Sequence, residues 1–190
     1  MGSAAVPGAR RSMTVEEFAD LPDDGMRHEL VEGELRTMPP AGFEHGSVAA
    51  DLLIKVGSFV HAQKLGVVLA AETGFVLRRG PDILRAPDVA FVQADRVPPR
   101  QERQKFAELA PDLVAEVTSP YDRVGEVNGK VAQWLDAGVR LVWVVDPETR
   151  VVVAHRPDGV AHLLREGDVL DGEDVLPGFR LPLSELFERD

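Results

Sequence analysis

The chain has 190 residues, 44% of them hydrophobic and 28% charged, with 21 lysines and arginines against 32 aspartates and glutamates for a net charge of −11. Those proportions suit a single globular domain and exclude a disordered, collagen-like or low-complexity chain. There is no cysteine, which removes disulfides, thiolate zinc sites, iron–sulfur clusters and thiol nucleophiles together, and no apolar run approaches the ~20 residues that a membrane helix needs.

Residues 1–13 read as a flexible leader, with the folded domain expected over 14–190. Arg10-Arg11 is followed by no apolar stretch, so a secretory signal is not expected and the cytoplasm is the expected compartment. Thr14-Val15-Glu16-Glu17 has the spacing of a capping box, predicting a short helix that ends before Pro22. The segment 27–36 reads as two short strands pivoting on Gly33. From His45 to Lys64, Val48, Leu52, Val56 and Val60 recur at four-residue steps, predicting a long amphipathic helix with Gly66 as its cap.

The apolar run 67–71 and the segments 74–77 and 86–92 read as strands, and 93–110, with Pro98-Pro99 at its centre, as a loop. Residues 112–117 form a strand of the buried type. A second amphipathic helix over 126–137, with Val127, Val131, Trp134 and Leu135 on one face, is followed by a strand over 140–145. Beyond Val151 the pattern changes to hairpins, with Pro157-Asp158-Gly159 as a turn, and closes on a short helical turn over 183–187. The expected fold is therefore mixed α/β (α+β): a central mixed sheet flanked by helices, with additional β-hairpins at the C-terminal end.

The charge is unevenly distributed. Residues 1–77 hold 6 basic and 11 acidic side chains, and residues 107–190 hold 8 and 17; residues 78–106 reverse the sign, with 7 basic and 4 acidic. Arg78, Arg79 and Arg85 belong to that basic stretch, which reads either as a solvated loop or as a surface for a polyanion.

Cofactor loops and metal-ligand spacings are absent: there is no Gly-x-Gly-x-x-Gly, no Walker loop, no His-Glu-x-x-His and no Gly-x-Ser-x-Gly. Two carboxylates carry more information. Asp88 stands at the start of an apolar strand and Glu116 near the end of another, where desolvation is costly unless the charge is paired or holds a cation. A hard divalent ion suits carboxylates on neighbouring strands; ion pairing in the core is the other reading. Lys130 lies one step off the apolar stripe of its helix, either in an exposed pair with Glu126 or directed at the carboxylates.

The segments Ala86-Pro87-Asp88-Val89-Ala90, Pro111-Asp112-Leu113-Val114-Ala115-Glu116-Val117-Thr118-Ser119-Pro120, Lys130 and 137–147, with His28-Glu29-Leu30-Val31-Glu32-Gly33-Glu34-Leu35 and His45 upstream, resemble a large bacterial family. It is the restriction-endonuclease-like (Uma-type) family of the PD-(D/E)XK nuclease superfamily. The resemblance implies a restriction-endonuclease-like fold and metal-assisted phosphodiester hydrolysis, with DNA as the expected substrate. It implies Asp88 and Glu116 as ligands of Mg²⁺ or Mn²⁺, Glu29 as a third carboxylate, and Lys130 as the catalytic lysine, because Thr118 occupies the place where the superfamily lysine normally stands. It further implies His45, Arg78, Arg79 and Arg85 as nucleic-acid contacts, and a homodimer is expected from pairing of the late hairpins. A catalytically silent binding module on the same fold is the alternative expectation.

Overall fold

The computed structural model describes residues 12–187; residues 1–11 of the expected leader lie outside the described residues. The expected capping box forms: Glu17 N donates to Thr14 Oγ1 at 3.3 Å and Thr14 N donates to Glu17 Oε2 at 3.0 Å, starting helix α1 (Val15–Ala19). Met13 N donates to Gly33 O at 2.9 Å, so the chain is already tied to the domain one residue before the helix cap.

Strands β1 (Arg27–Val31) and β2 (Glu34–Met38) form the expected hairpin. Its two turn residues, Glu32 and Gly33, both have positive φ, 53° and 76°, which a two-residue turn requires to match the twist of its strands. With β4 (Phe75–Arg78) and β5 (Ile83–Arg85) they make a four-stranded sheet in the order β2-β1-β5-β4. The sequence reading did not separate β5. It is three residues long and runs into Ala86-Pro87-Asp88, where proline interrupts pairing. Leu30, Val76 and Leu84 of this sheet pack with Val15 of α1.

The larger sheet comprises β3 (Gly66–Ala70), β6 (Val89–Gln93), β7 (Leu113–Val117), β8 (Leu141–Asp146), β9 (Val151–His155) and β10 (Ala161–Arg165), in the order β10-β9-β8-β7-β6-β3. Only β7 and β8 pair in parallel, across the crossover helix α3 (Val124–Asp136). Helix α2 (Phe43–Gln63) covers one face of the sheet through Val48, Leu52, Val56 and Val60, in the core that takes Leu113, Ala115 and Val117 of β7. Val114 of β7 belongs to the other core, with Val131 and Trp134 of α3. The two-residue period of a strand therefore directs Glu116 toward α3. A small hairpin of β11 (Val169–Asp171) and β12 (Arg180–Pro182) and helix α4 (Ser184–Phe187) close the α2 side. The hairpin after Val151 extends the central sheet instead of standing apart from it. No helix among the described residues is long and apolar enough to cross a membrane.

Several boundaries differ from the sequence reading by one to three residues, among them the start of β6, which is Val89 and not residue 86. Helix α2 starts two residues earlier, at Phe43, and its C-cap is Lys64, which takes the left-handed conformation at φ 56°. Gly66 is the first residue of β3 rather than the cap. A Cβ there would sit 2.1 Å from Val92 O, so glycine is required by the close approach of β6. Gly66→Ala should lower stability by about 1–3 kcal/mol, the usual cost of overpacking; the urea midpoint checks this, and an unchanged value would mean the strand edge yields freely.

Candidate active site

The ends of β1, β5, β6 and β7, the start of α2 and the middle of α3 bring three carboxylates together with four cationic side chains. Asp88 ends the Ala-Pro-Asp corner before β6, and its side chain is 5% exposed. Its Oδ2 accepts a hydrogen bond from Val117 N at 2.8 Å, which places Asp88 beside the backbone of the strand that carries Glu116. His45 Nε2, from the first turn of α2, stands 3.2 Å from the same oxygen, and Arg27 Nη1 stands 3.6 Å from Oδ1. His45 Nδ1 is buried with no hydrogen-bond partner among the described residues.

Glu116 is equally recessed. Its Oε1 accepts from Trp134 Nε1 at 2.8 Å, and its Oε2 accepts from Lys130 Nζ at 3.3 Å. The lysine therefore pairs with Glu116 and not with Glu126, and of the two sequence readings the structure has the one directed at the carboxylates. Thr118, at the place of the superfamily lysine, is turned toward β8, its Oγ1 3.4 Å from Val145 O.

Glu29 is held differently. Arg85 Nη1 donates to Glu29 Oε2 at 2.5 Å and Ala86 N donates to Oε1 at 3.1 Å, so both oxygens are occupied. Arg85 then reaches α3, its Nε and Nη2 donating to Gln133 Oε1 at 2.9 and 2.6 Å. Glu29 thus anchors an arginine that braces the helix bearing Lys130. The resemblance alone suggested a third carboxylate near the metal.

The electrostatics follow from burial and these partners. For Asp88, burial raises the carboxyl pKa, but the hydrogen bond and charge of His45, the Val117 amide and Arg27 outweigh it and hold the group below its usual range. For Glu116, burial dominates, and the negative charges of Asp88 and Glu29 add to it; Lys130 does not fully compensate, and the carboxyl is pushed up. His45 is raised, chiefly by its hydrogen bond to Asp88 against the opposing effect of burial. Burial pulls Lys130 down, but Glu116 and Glu29 overcome this and keep it above its ordinary value, firmly an ammonium.

Among the described residues no three His, Asp or Glu side chains converge into a ready-made metal cage. The donor set still suits a hard divalent ion of the magnesium type, which binds through one or two carboxylates and fills its remaining positions with water and phosphate oxygens. Asp88 and Glu116 are two recessed carboxylates close enough for each to feel the other's charge, and the raised Glu116 is the group that a second positive charge would relieve.

Arg78 and Arg79 do not join this cluster. Arg78 pairs with Glu32, and Arg79 with Glu16, Asp82 and Glu108, while Arg96 pairs with Asp112. Much of the basic stretch is thus neutralised by acids from elsewhere in the chain. Sequence reasoning missed Arg27, Gln133 and Trp134 as members of the site. The signal available for the last two was spacing, since they lie three and four residues after Lys130 on the same helical face.

The chain is 22% identical to a protein of known structure described as a "putative nuclease belonging to DUF820 from Anabaena variabilis ATCC 29413". The superposition has a TM-score of 0.79 and covers 92% of this chain and 97% of that one, so the two share a fold. A search of curated proteins finds no match. The sequence profile of the Uma2 family, described as "Putative restriction endonuclease", matches residues 15–184. That span takes in every element from α1 to the start of α4, and the chain belongs to the Uma2 family.

Proposed function

We propose that the protein is a metal-dependent endonuclease that hydrolyses phosphodiester bonds in DNA, with Asp88 and Glu116 holding Mg²⁺ or Mn²⁺. The observation that carries this reading is the meeting of two recessed carboxylates from adjacent strands with a lysine on one of them. A divalent cation bound there would supply Lewis-acid stabilisation of the phosphoryl oxygens and a water of lowered pKa. Lys130, charged and within hydrogen-bond reach of Glu116, orients the attacking water and offsets the negative charge that grows on the phosphoryl group. Trp134 fixes the other Glu116 oxygen, and Val117 N fixes Asp88, so neither carboxylate must reorganise during the reaction. Water adds to phosphorus, the bond to one ester oxygen breaks, and the proton lost by water ends on the solvent or on the leaving oxygen.

Supercoiled plasmid incubated with Mg²⁺, Mn²⁺ or EDTA tests the reading, with Asp88→Asn beside the unaltered protein. The expected result is nicking that requires metal and falls at least about 100-fold in the variant. The same metals should raise the melting temperature of the unaltered protein and leave the variant's unchanged. A folded protein that shows neither nicking nor metal stabilisation would mark Asp88 and Glu116 as core ion pairs.

A further inference from the structure

Resting on that reading, we infer that the site takes an unpaired nucleotide: the substrate is a single strand or a strand locally freed from its duplex, seated in the cleft that Asp88 lines. The cleft, of about 450 Å³, lies between the N-terminal half of α2 and the turn after β3. Its polar end is made by Arg27, His45 and Asp88, and one wall by Ala49, Ala50 and Leu53 of α2. That is the size and make-up of a small-molecule site, apolar walls with a few convergent polar groups. It can admit one nucleotide with its phosphate toward Arg27 and His45, and it cannot admit a duplex.

Three further observations point the same way. Asp88, the carboxylate that lines the cleft, is only 5% exposed, so a phosphate must come down to it, whereas a B-form duplex is a stiff rod that carries its backbone on the outside. Phe43, 90% exposed, stands at the start of α2 between the cleft residues Ala41 and His45. An exposed aromatic ring on the helix that walls the cleft is a platform on which an unpaired base can stack. Finally, the surface is poorly built for tracking duplex phosphates: the net charge is −11, and Arg78, Arg79, Arg85 and Arg96 of the basic stretch are all committed to carboxylates.

Fluorescence anisotropy with a labelled single-stranded oligodeoxynucleotide, a ribonucleotide of the same sequence and a hairpin duplex, all in Ca²⁺, tests the inference without turnover. Cleavage of the same three molecules in Mg²⁺ and Mn²⁺ is measured in parallel. The expected result is binding of a single strand at least about 10-fold tighter than of the hairpin, with the two single strands telling deoxyribose from ribose preference. Ala50→Trp, which fills the cleft from an exposed helix position, should weaken single-strand binding at least about 10-fold at an unchanged melting temperature. Should that variant misfold, Phe43→Ala, at a fully solvated position, should cost about 5- to 100-fold. Equal or tighter binding of the hairpin, no binding of any oligonucleotide, or undiminished binding by a folded Ala50→Trp protein would overturn the inference. Single-strand binding that depends on the cleft, without cleavage in either metal, would uphold it and refute the nuclease reading instead.

Discussion

Arg85→Met should destabilise the protein by about 3–5 kcal/mol, the cost of leaving a buried charge without its partner. Glu29 is 1% exposed, and its carboxylate faces the Arg85 guanidinium at 2.5 Å. Methionine fills much of the same volume but leaves Glu29 with only the Ala86 amide, and leaves Gln133 Oε1 without either of its guanidinium donors. The group left behind, more than the bond removed, sets the size of the loss. Paired replacement, Glu29→Met with Arg85→Met, should recover most of the stability, since two apolar side chains remove both desolvation costs together. Urea denaturation of the two single variants and the double variant measures the coupling. A loss below about 1 kcal/mol in Arg85→Met, the range of a solvated surface pair, would show that the guanidinium is free to leave Glu29 for a phosphate.

Lys130→Met should reduce turnover by about 10²–10³ while the protein stays folded. The side chain is 28% exposed and makes its one ion pair with Glu116, so its methylenes can be replaced with little effect on packing. What disappears is the ammonium that, on the proposed reading, orients water and answers the charge on phosphorus. Stabilisation by Mg²⁺ should persist, because the Asp88 and Glu116 oxygens remain and Trp134 still holds one of them. This would separate the lysine from the carboxylates, whose removal should abolish both responses. Lys130→Arg should not restore the rate, since a broad planar guanidinium cannot take the place of a compact point charge against Glu116. Cleavage rates at saturating metal check the prediction, and a rate within a few-fold of the unaltered protein would return Lys130 to a structural ion pair.

The bracing role of Glu29 bears on both results. Arg85 joins the four-stranded sheet to α3 through Gln133, one turn away from Lys130 on that helix. Strain introduced at Glu29 therefore reaches the helix that bears the lysine through Arg85 and Gln133. Glu29→Gln keeps the shape but halves the strength of the charge-assisted bond, and it should perturb catalysis less than it perturbs stability.

Most of the scaffold was legible in the sequence. The capping box at Thr14, the hairpin at Gly33, the stripe Val48, Leu52, Val56 and Val60, and the strand 112–117 are local patterns, fixed by periods of 3.6 and 2 and by turn chemistry acting within a few residues. Asp88 and Glu116 were legible for a related reason, since charged groups on apolar elements violate the pattern that surrounds them; Lys130, one step off the apolar stripe of its helix, was singled out by the family resemblance. Strand β5 was not legible. Three residues carry too little periodicity to separate them from the segment that follows. The cap of α2 was misplaced because Gly66 answers to β6, a partner 27 positions further along whose approach no local rule registers.

By itself, then, the sequence determined most of the elements, the family framework and the placing of Asp88 and Glu116 beside apolar strand residues, because each of these is written in spacing along one chain. Only the tertiary structure decided how the charges pair: that Arg85 belongs to Glu29 and braces α3, that His45 and Arg27 belong to Asp88, that Lys130 chooses Glu116 over Glu126, and that Arg78 and Arg79 are neutralised by acids far away in sequence. Charge pairing depends on distance through space and on the water each group retains, and both are set only when separate elements pack together.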